Sequence, residues 1–344
     1  MLFGECASKN GDGSMSRLRS VISLLIIGLA ALLSILPAAA DGYFEDDLTI
    51  AFLPRSLGNP IFLDAFEAAQ KKAYELGVTL EWVAPFDFDS DLQVEMIENL
   101  IRRGVDGIVA SVNDEEAIHR VFQKAMANGI PVATFDADSP GSGRLFHIGI
   151  NNYKAGVEIG TALVSVIKEK GLEDQVLDTM IMTGYREALN LEERIRGFLD
   201  ATADDVRLNI VSILENEDTV EKSIILLEDY LKMNPDVDVI FFVGGWPFYV
   251  TSDALPNFRQ WAQEGGIAVG IDLFYDALLL QKEGLIQYLI GQDMTGMGAQ
   301  GMELIVNFIR YGQVPPEFVE TGLEHANESN LDRLLEIHKP WLVK

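Results

Sequence analysis

The sequence predicts an α/β protein built as two doubly wound lobes. Three observations lead there. Short apolar runs alternate with amphipathic helical stretches from Leu48 onward, the pattern of repeated βα units and a parallel sheet with helices on both faces. The alternation restarts near Ile148 and gives two sets of similar size. A length of 344 residues suits two domains better than one.

The first unit organises the rest. Leu48 to Leu53 is an apolar strand. It breaks into a loop carrying Pro54, Gly58, Asn59 and Pro60, and a helix follows with Phe62, Ala65, Phe66, Ala69 and Ala73 on one face. Strands are expected next at 79–84, 107–110 and 131–135, with helices at 91–103 and 115–128 between them. The second set has strands at 145–150, 177–182, 207–214, 237–243, 267–271 and 286–291. Its helices fall at 152–170, 191–201, 220–232, 257–264 and 275–283. A long helix at 297–311 and a closing strand at 317–321 complete the series.

The first forty residues stand apart. Arg17 and Arg19 precede an uncharged, mostly apolar run from Val21 to Leu36, and Pro37-Ala38-Ala39-Ala40 follows. This is a signal-peptide pattern with cleavage near Asp41, and it predicts export to the periplasm. Met15 is an alternative initiator. The single cysteine, Cys6, lies before the cleavage point, so neither disulfides nor thiol chemistry are expected in the mature chain. Acidic residues outnumber basic ones by 53 to 26, a surface that repels phosphate backbones and argues against a nucleic-acid partner.

In an open α/β sheet the ligand sits at the carboxyl ends of the strands, so polar and aromatic residues there are the candidates. These are Asn59, Phe62 and Phe86, then Ser111 after the third strand, and Asp136 and Asp138 after the fourth. The second set adds Asn190, Arg194, Trp246, Asp272 and Gln292. Carboxylates, amides and a guanidinium both accept from and donate to hydroxyl groups, while aromatic faces cover the C–H side of a sugar ring. The collection suits a neutral polyol. His119, His147, His325 and His338 have no metal-ligand spacing, and neither a Walker loop nor a nucleophile elbow is present. No cofactor, metal or catalysis is expected.

Several segments resemble the ribose-binding type of periplasmic protein, the substrate-binding components of sugar ABC transporters. Asn59-Pro60-Ile61-Phe62 is similar to the N-P-F-F segment of that family, and TFDADSP to its strand-plus-Asp motif. GINNYKAG is similar to its first crossover, with Asn151 where Asp is usual. R-I-R-G-F at 194–198 matches the motif whose first arginine binds sugar; Asp272 in VGIDLF and Gln292 match two further strand ends. The resemblance implies two Rossmann-like lobes joined by a multi-strand hinge near Ile150, Gln292 and Val319. Residues 41–150 plus 293–318 would form the first lobe and 151–292 plus 319–344 the second. It also implies a monomer that closes on a monosaccharide and docks on an ABC permease. A sensor that presents a sugar or autoinducer-2 to a membrane receptor is the alternative; a repressor's effector domain shares the architecture but is opposed by the signal-peptide pattern and the lack of a DNA-binding headpiece, and a secreted glycosidase would be told apart by a product assay. Two departures bear on the ligand. Ala137 stands where ribose-type members carry Arg, and Gly244-Gly245-Trp246-Pro247 replaces their N-D. Both argue against ribose itself.

Overall fold

A computed structural model describes residues 48–186 and 188–339. The expected signal peptide lies outside them. The strands are β1 (Thr49–Leu53), β2 (Thr79–Trp82), β3 (Gly107–Ala110), β4 (Val132–Phe135), β5 (His147–Gly149), β6 (Val176–Thr183), β7 (Arg207–Glu215), β8 (Val239–Phe242), β9 (Ile267–Ile271), β10 (Tyr288–Gln292), β11 (Phe318–Glu320) and β12 (Leu323–Ala326). The helices are α1 (Phe62–Leu76), α2 (Ser90–Arg103), α3 (Glu115–Ala127), α4 (Asn152–Glu169), α5 (Leu189–Thr202), α6 (Val220–Met233), α7 (Pro256–Gln263), α8 (Tyr275–Lys282), α9 (Met294–Tyr311) and α10 (Leu331–Ile337).

Two six-stranded sheets result, in the orders β11-β5-β4-β3-β1-β2 and β12-β10-β9-β8-β6-β7. Every pairing is parallel except β10 with β12. Strand β1 shows why the sequence gives this layering. Its Ile50 and Phe52 enter the cluster packed by α1 and α9, while Ala51 and Leu53 enter a separate cluster beneath α2 and α3. A strand apolar on both faces must be covered on both, and the helices do so.

The expected helices form, and local chemistry fixes their ends. Side chains of Asp89, Asp114, Asn151 and Asp293 accept from the backbone N–H three residues on, capping α2, α3, α4 and α9. Asn151, at the first crossover, is therefore the N-cap of α4. Helices α4 and α5 approach until the backbones nearly touch: a Cβ on Gly156 would lie 2.0 Å from the Arg194 carbonyl oxygen, and one on Gly197 would lie 2.1 Å from that of Tyr153. This contact seats the turn of α5 that carries Arg194.

The chain passes between the sheets three times: after β5, after β10, and between β11 and β12. The third passage corrects the expected boundary. Val319 and Glu320 pair with Ile148 and Gly149 in the first sheet, so the chain leaves that sheet at Thr321-Gly322 rather than before Val319. Strand β12 and helix α10 were not expected. The first is a four-residue segment, LEHA, interrupted by charge, and the second a single amphipathic stretch of seven residues.

Candidate functional site

The carboxyl ends of the two sheets face each other across a cleft that encloses a small cavity of about 30 Å³. It is lined by Arg55, Asn59, Ile61, Phe62 and Asp136 from the first lobe. Asn190, Leu191, Arg194, Asp218, Trp246, Asp272 and Phe274 from the second, with Gln292 at the crossover, complete it. Small apolar surfaces alternate with buried polar groups, the usual make-up of a small-molecule site.

Asp136 and Asp272 end β4 and β9, which hold the same place in the two sheet orders. Both take left-handed backbone, with φ of 58° and 87°. Asp tolerates that region better than most residues, and the turn it allows points the carboxylate back over the strand ends. Asp136 accepts from the Ser111 hydroxyl at 2.7 Å. Asp272 accepts from the Gly245 N–H at 2.9 Å and from Gln292 Nε2 at 2.8 Å. Gln292 in turn accepts from Arg194 Nη2 at 2.9 Å, and the same guanidinium donates to Asn152 Oδ1 at 2.8 Å and to the Val243 carbonyl at 3.1 Å. Three loops of the second lobe and one crossover are thereby tied into one network.

The first lobe joins that network through Asp218, whose Oδ1 accepts from Trp246 Nε1 at 2.7 Å and from Asn59 Nδ2 at 3.3 Å. The second of these bonds crosses the cleft. Phe88 and Tyr185 also meet across it, with ring centroids 4.0 Å apart. Arg55 is buried beside Asp218 with its guanidinium over the Phe88 ring at 5.1 Å. Its Nε and Nη2, together with Asp218 Oδ2 and Asn190 Oδ1, are buried without a hydrogen-bond partner among the described residues. Burial pushes the Asp136 and Asp218 carboxyls above the ordinary value, with Arg55 the leading opposing charge for both. Burial pulls the Arg194 guanidinium down, and Asp272 and Asp136 oppose it.

Of the residues expected from sequence, Asn59, Phe62, Asp136, Asn190, Arg194, Trp246, Asp272 and Gln292 line this cavity. Ser111 stands one bond behind, holding Asp136. Two expectations are corrected. Asp138 points away from the cleft, because the left-handed turn at Asp136 reverses the chain; it accepts both Nε and Nη2 of Arg144 at 2.5 Å and the Thr134 hydroxyl. Phe86 is 70% exposed, since its carbonyl is drawn inward to pair with the Gly58 N–H at 2.8 Å and its ring is left outside. Phe88, two residues on, holds the inward position. Trp246 was expected as a stacking face; its indole N–H is engaged by Asp218, so it also fixes that carboxylate.

Arg55 and Asp218 escaped the sequence reading. Arg55 lies two residues past Leu53, at a strand end, and that position was the available signal. Asp218 follows the edge strand β7 in an acidic ENED run that reads as solvated surface. Consecutive left-handed residues, Glu217 and Asp218 at φ of 55° and 60°, turn it inward, while Asn216 Oδ1 accepts from the Asp218 N–H at 2.9 Å. Among the described residues no group of His, Cys, Asp or Glu is disposed to hold a metal ion.

Residues 50–313 match the periplasmic binding protein domain family. The ribose import binding protein of Salmonella typhimurium is 24% identical over 305 residues, covering 89% of this chain and 96% of that protein. The ribose import binding protein of Bacillus subtilis is 26% identical over 197 residues, 57% of this chain and 62% of that one. A solved ABC transporter solute-binding protein from Burkholderia graminis, in complex with D-arabinose, superposes with a TM-score of 0.75 at 29% identity, covering 83% of this chain and 97% of its own. With the family's sequence matched over most of the chain and two facing α/β sheets that the chain crosses three times, this protein belongs to the periplasmic binding protein family, in its two-lobed type I form.

Proposed function

We propose that the protein is an extracytoplasmic substrate-binding protein that captures a monosaccharide between its lobes and delivers it to an ABC permease. The observation that carries this reading is the set of buried groups around the cavity that lack partners. Arg55 offers two donors, while Asp218 and Asn190 offer acceptors, all withdrawn from water. An unsatisfied buried polar group costs about 1–3 kcal/mol. A ligand dense in hydroxyls, each both donor and acceptor, relieves several such costs at once. Two guanidiniums and three carboxylates surround the cavity, a near balance that disfavours a strongly charged ligand of either sign. The relatives named for ribose and the structure with D-arabinose support a sugar, of pentose size first.

The lobes would move about the three crossovers. A ligand touching both sides favours the closed arrangement by the difference between its affinities for closed and open forms. The permease then reads that arrangement. Thermal unfolding of the purified protein against pentoses, hexoses, polyols and autoinducer-2 tests the reading. A sugar at about a hundred times its Kd should add roughly 2.7 kcal/mol of stability and raise Tm. Flat curves across the panel, in folded protein freed of carried-over ligand, would refute it.

A further inference from the structure

Two buried, oppositely charged side chains approach each other without bonding: Arg55, on the first lobe, and Asp218, on the second. Arg55 Nε stands 4.0 Å from Asp218 Oδ2, beyond hydrogen-bond range. Neither group is free to close that gap. Asp218 Oδ1 is held by Trp246 and Asn59, and its backbone by the Asn216 side chain. The Arg55 guanidinium lies against the Phe88 ring. The two atoms that stand 4.0 Å apart, Arg55 Nε and Asp218 Oδ2, are both without hydrogen-bond partners among the described residues, as is Arg55 Nη2.

We propose that Arg55 and Asp218 form a cross-lobe subsite for one hydroxyl of the bound sugar, and that this pair sets which sugar the protein accepts. The inference rests on the sugar-binding reading above. An oxygen about 2.8 Å from both atoms fits a 4.0 Å gap with an angle of about 90° at that oxygen. The oxygen accepts from Arg55 and its hydrogen is donated to Asp218. Only a group that donates and accepts through one atom completes both halves. A carboxylate in the same place meets the charge of Asp218, and an ammonium meets that of Arg55. A C–H at that position, as in a deoxy sugar, leaves both buried charges unanswered. Because the two residues come from different lobes, the same hydroxyl also ties the lobes together.

The test is a cycle between ligand and protein atoms. Calorimetry first identifies which of D-arabinose, D-ribose and D-xylose the purified protein binds most tightly, and then measures each monodeoxy analogue of that pentose. These titrations are repeated on Asp218→Asn and, as a second variant, Arg55→Gln, with far-ultraviolet circular dichroism to verify folding. The expected result is one ring position whose hydroxyl is worth about ten- to a hundred-fold in Kd to the unmodified protein and almost nothing to either variant. If every deoxy penalty persists at full size in both variants, the subsite is overturned while sugar binding stands. If the folded, unmodified protein binds none of the pentoses or their analogues, the subsite and the pentose reading fall together.

Discussion

The two lobes repeat one framework and use it differently. Each has six strands in equivalent order, each ends its fourth-placed strand in a left-handed Asp, and each packs a long helix from the far side of a crossover against the helix after its first strand. The arginines near those first helices show the contrast. Arg194, in the second lobe, donates to Asn152, Val243 and Gln292, and holds three loops in place. Arg55, in the first lobe, has no hydrogen bond from Nε or Nη2 among the described residues. One guanidinium spends its donors on the protein, and the other keeps two of them for the proposed ligand. Identical chemistry serves opposite purposes because one is surrounded by acceptors and the other is held just short of one.

The largest effect should come from breaking that contrast at Arg194. Arg194→Ala leaves two buried acceptors and one half-buried acceptor without their donor, and we expect a loss of roughly 3–5 kcal/mol of stability in urea unfolding together with loss of sugar binding. Arg55→Gln should instead move stability by less than about 1 kcal/mol while weakening sugar affinity at least about ten-fold by calorimetry. Equal destabilisation by both would erase the distinction between the two arginines.

A second comparison separates Asp136 from Asp138, two residues apart and turned in opposite directions. Asp138→Asn breaks the pair with Arg144 and should lower stability by about 2–3 kcal/mol without shifting sugar Kd. Asp136→Asn should raise Kd about ten-fold with a smaller effect on Tm. The pH dependence sharpens this. Burial raises the Asp138 carboxyl, but hydrogen bonds from Arg144 and Thr134 and the charges of His147 and Arg144 outweigh it, so the group titrates below the ordinary carboxylate value. The stability it lends is fully present above about pH 4, where the unfolded carboxyl titrates, and is lost as pH falls through the lower folded value. Tm of the unmodified protein should therefore fall more steeply below about pH 4 than Tm of Asp138→Asn. His147 is held down by burial, so it gives both proteins a loss of stability beginning below about pH 6.5. The smallest effect is expected at Phe86, whose ring is solvated: Phe86→Ser should change sugar Kd by less than about two-fold.

Most of the βα series was legible in the sequence because it rests on local rules. Strands such as GIVA and VDVIFFV are too apolar to lie anywhere but in a covered sheet, and caps such as Asp89 and Asp114 mark helix starts by their own side chains. Strand ends were legible too, which is why eight of the expected residues stand around the cavity. The direction each side chain takes from its strand end was not. One left-handed residue, Asp136, sends Asp138 into a salt bridge with Arg144, and two more turn Asp218 out of an acidic surface run into the cleft. Backbone sign at such a turn depends on what packs around it. The sequence alone determined that this chain forms covered parallel sheets whose strand ends carry clustered carboxylates, amides and guanidiniums. Tertiary structure decided which of those side chains meet, because a hydrogen bond across 159 residues, like that of Asn59 with Asp218, is written in no local pattern.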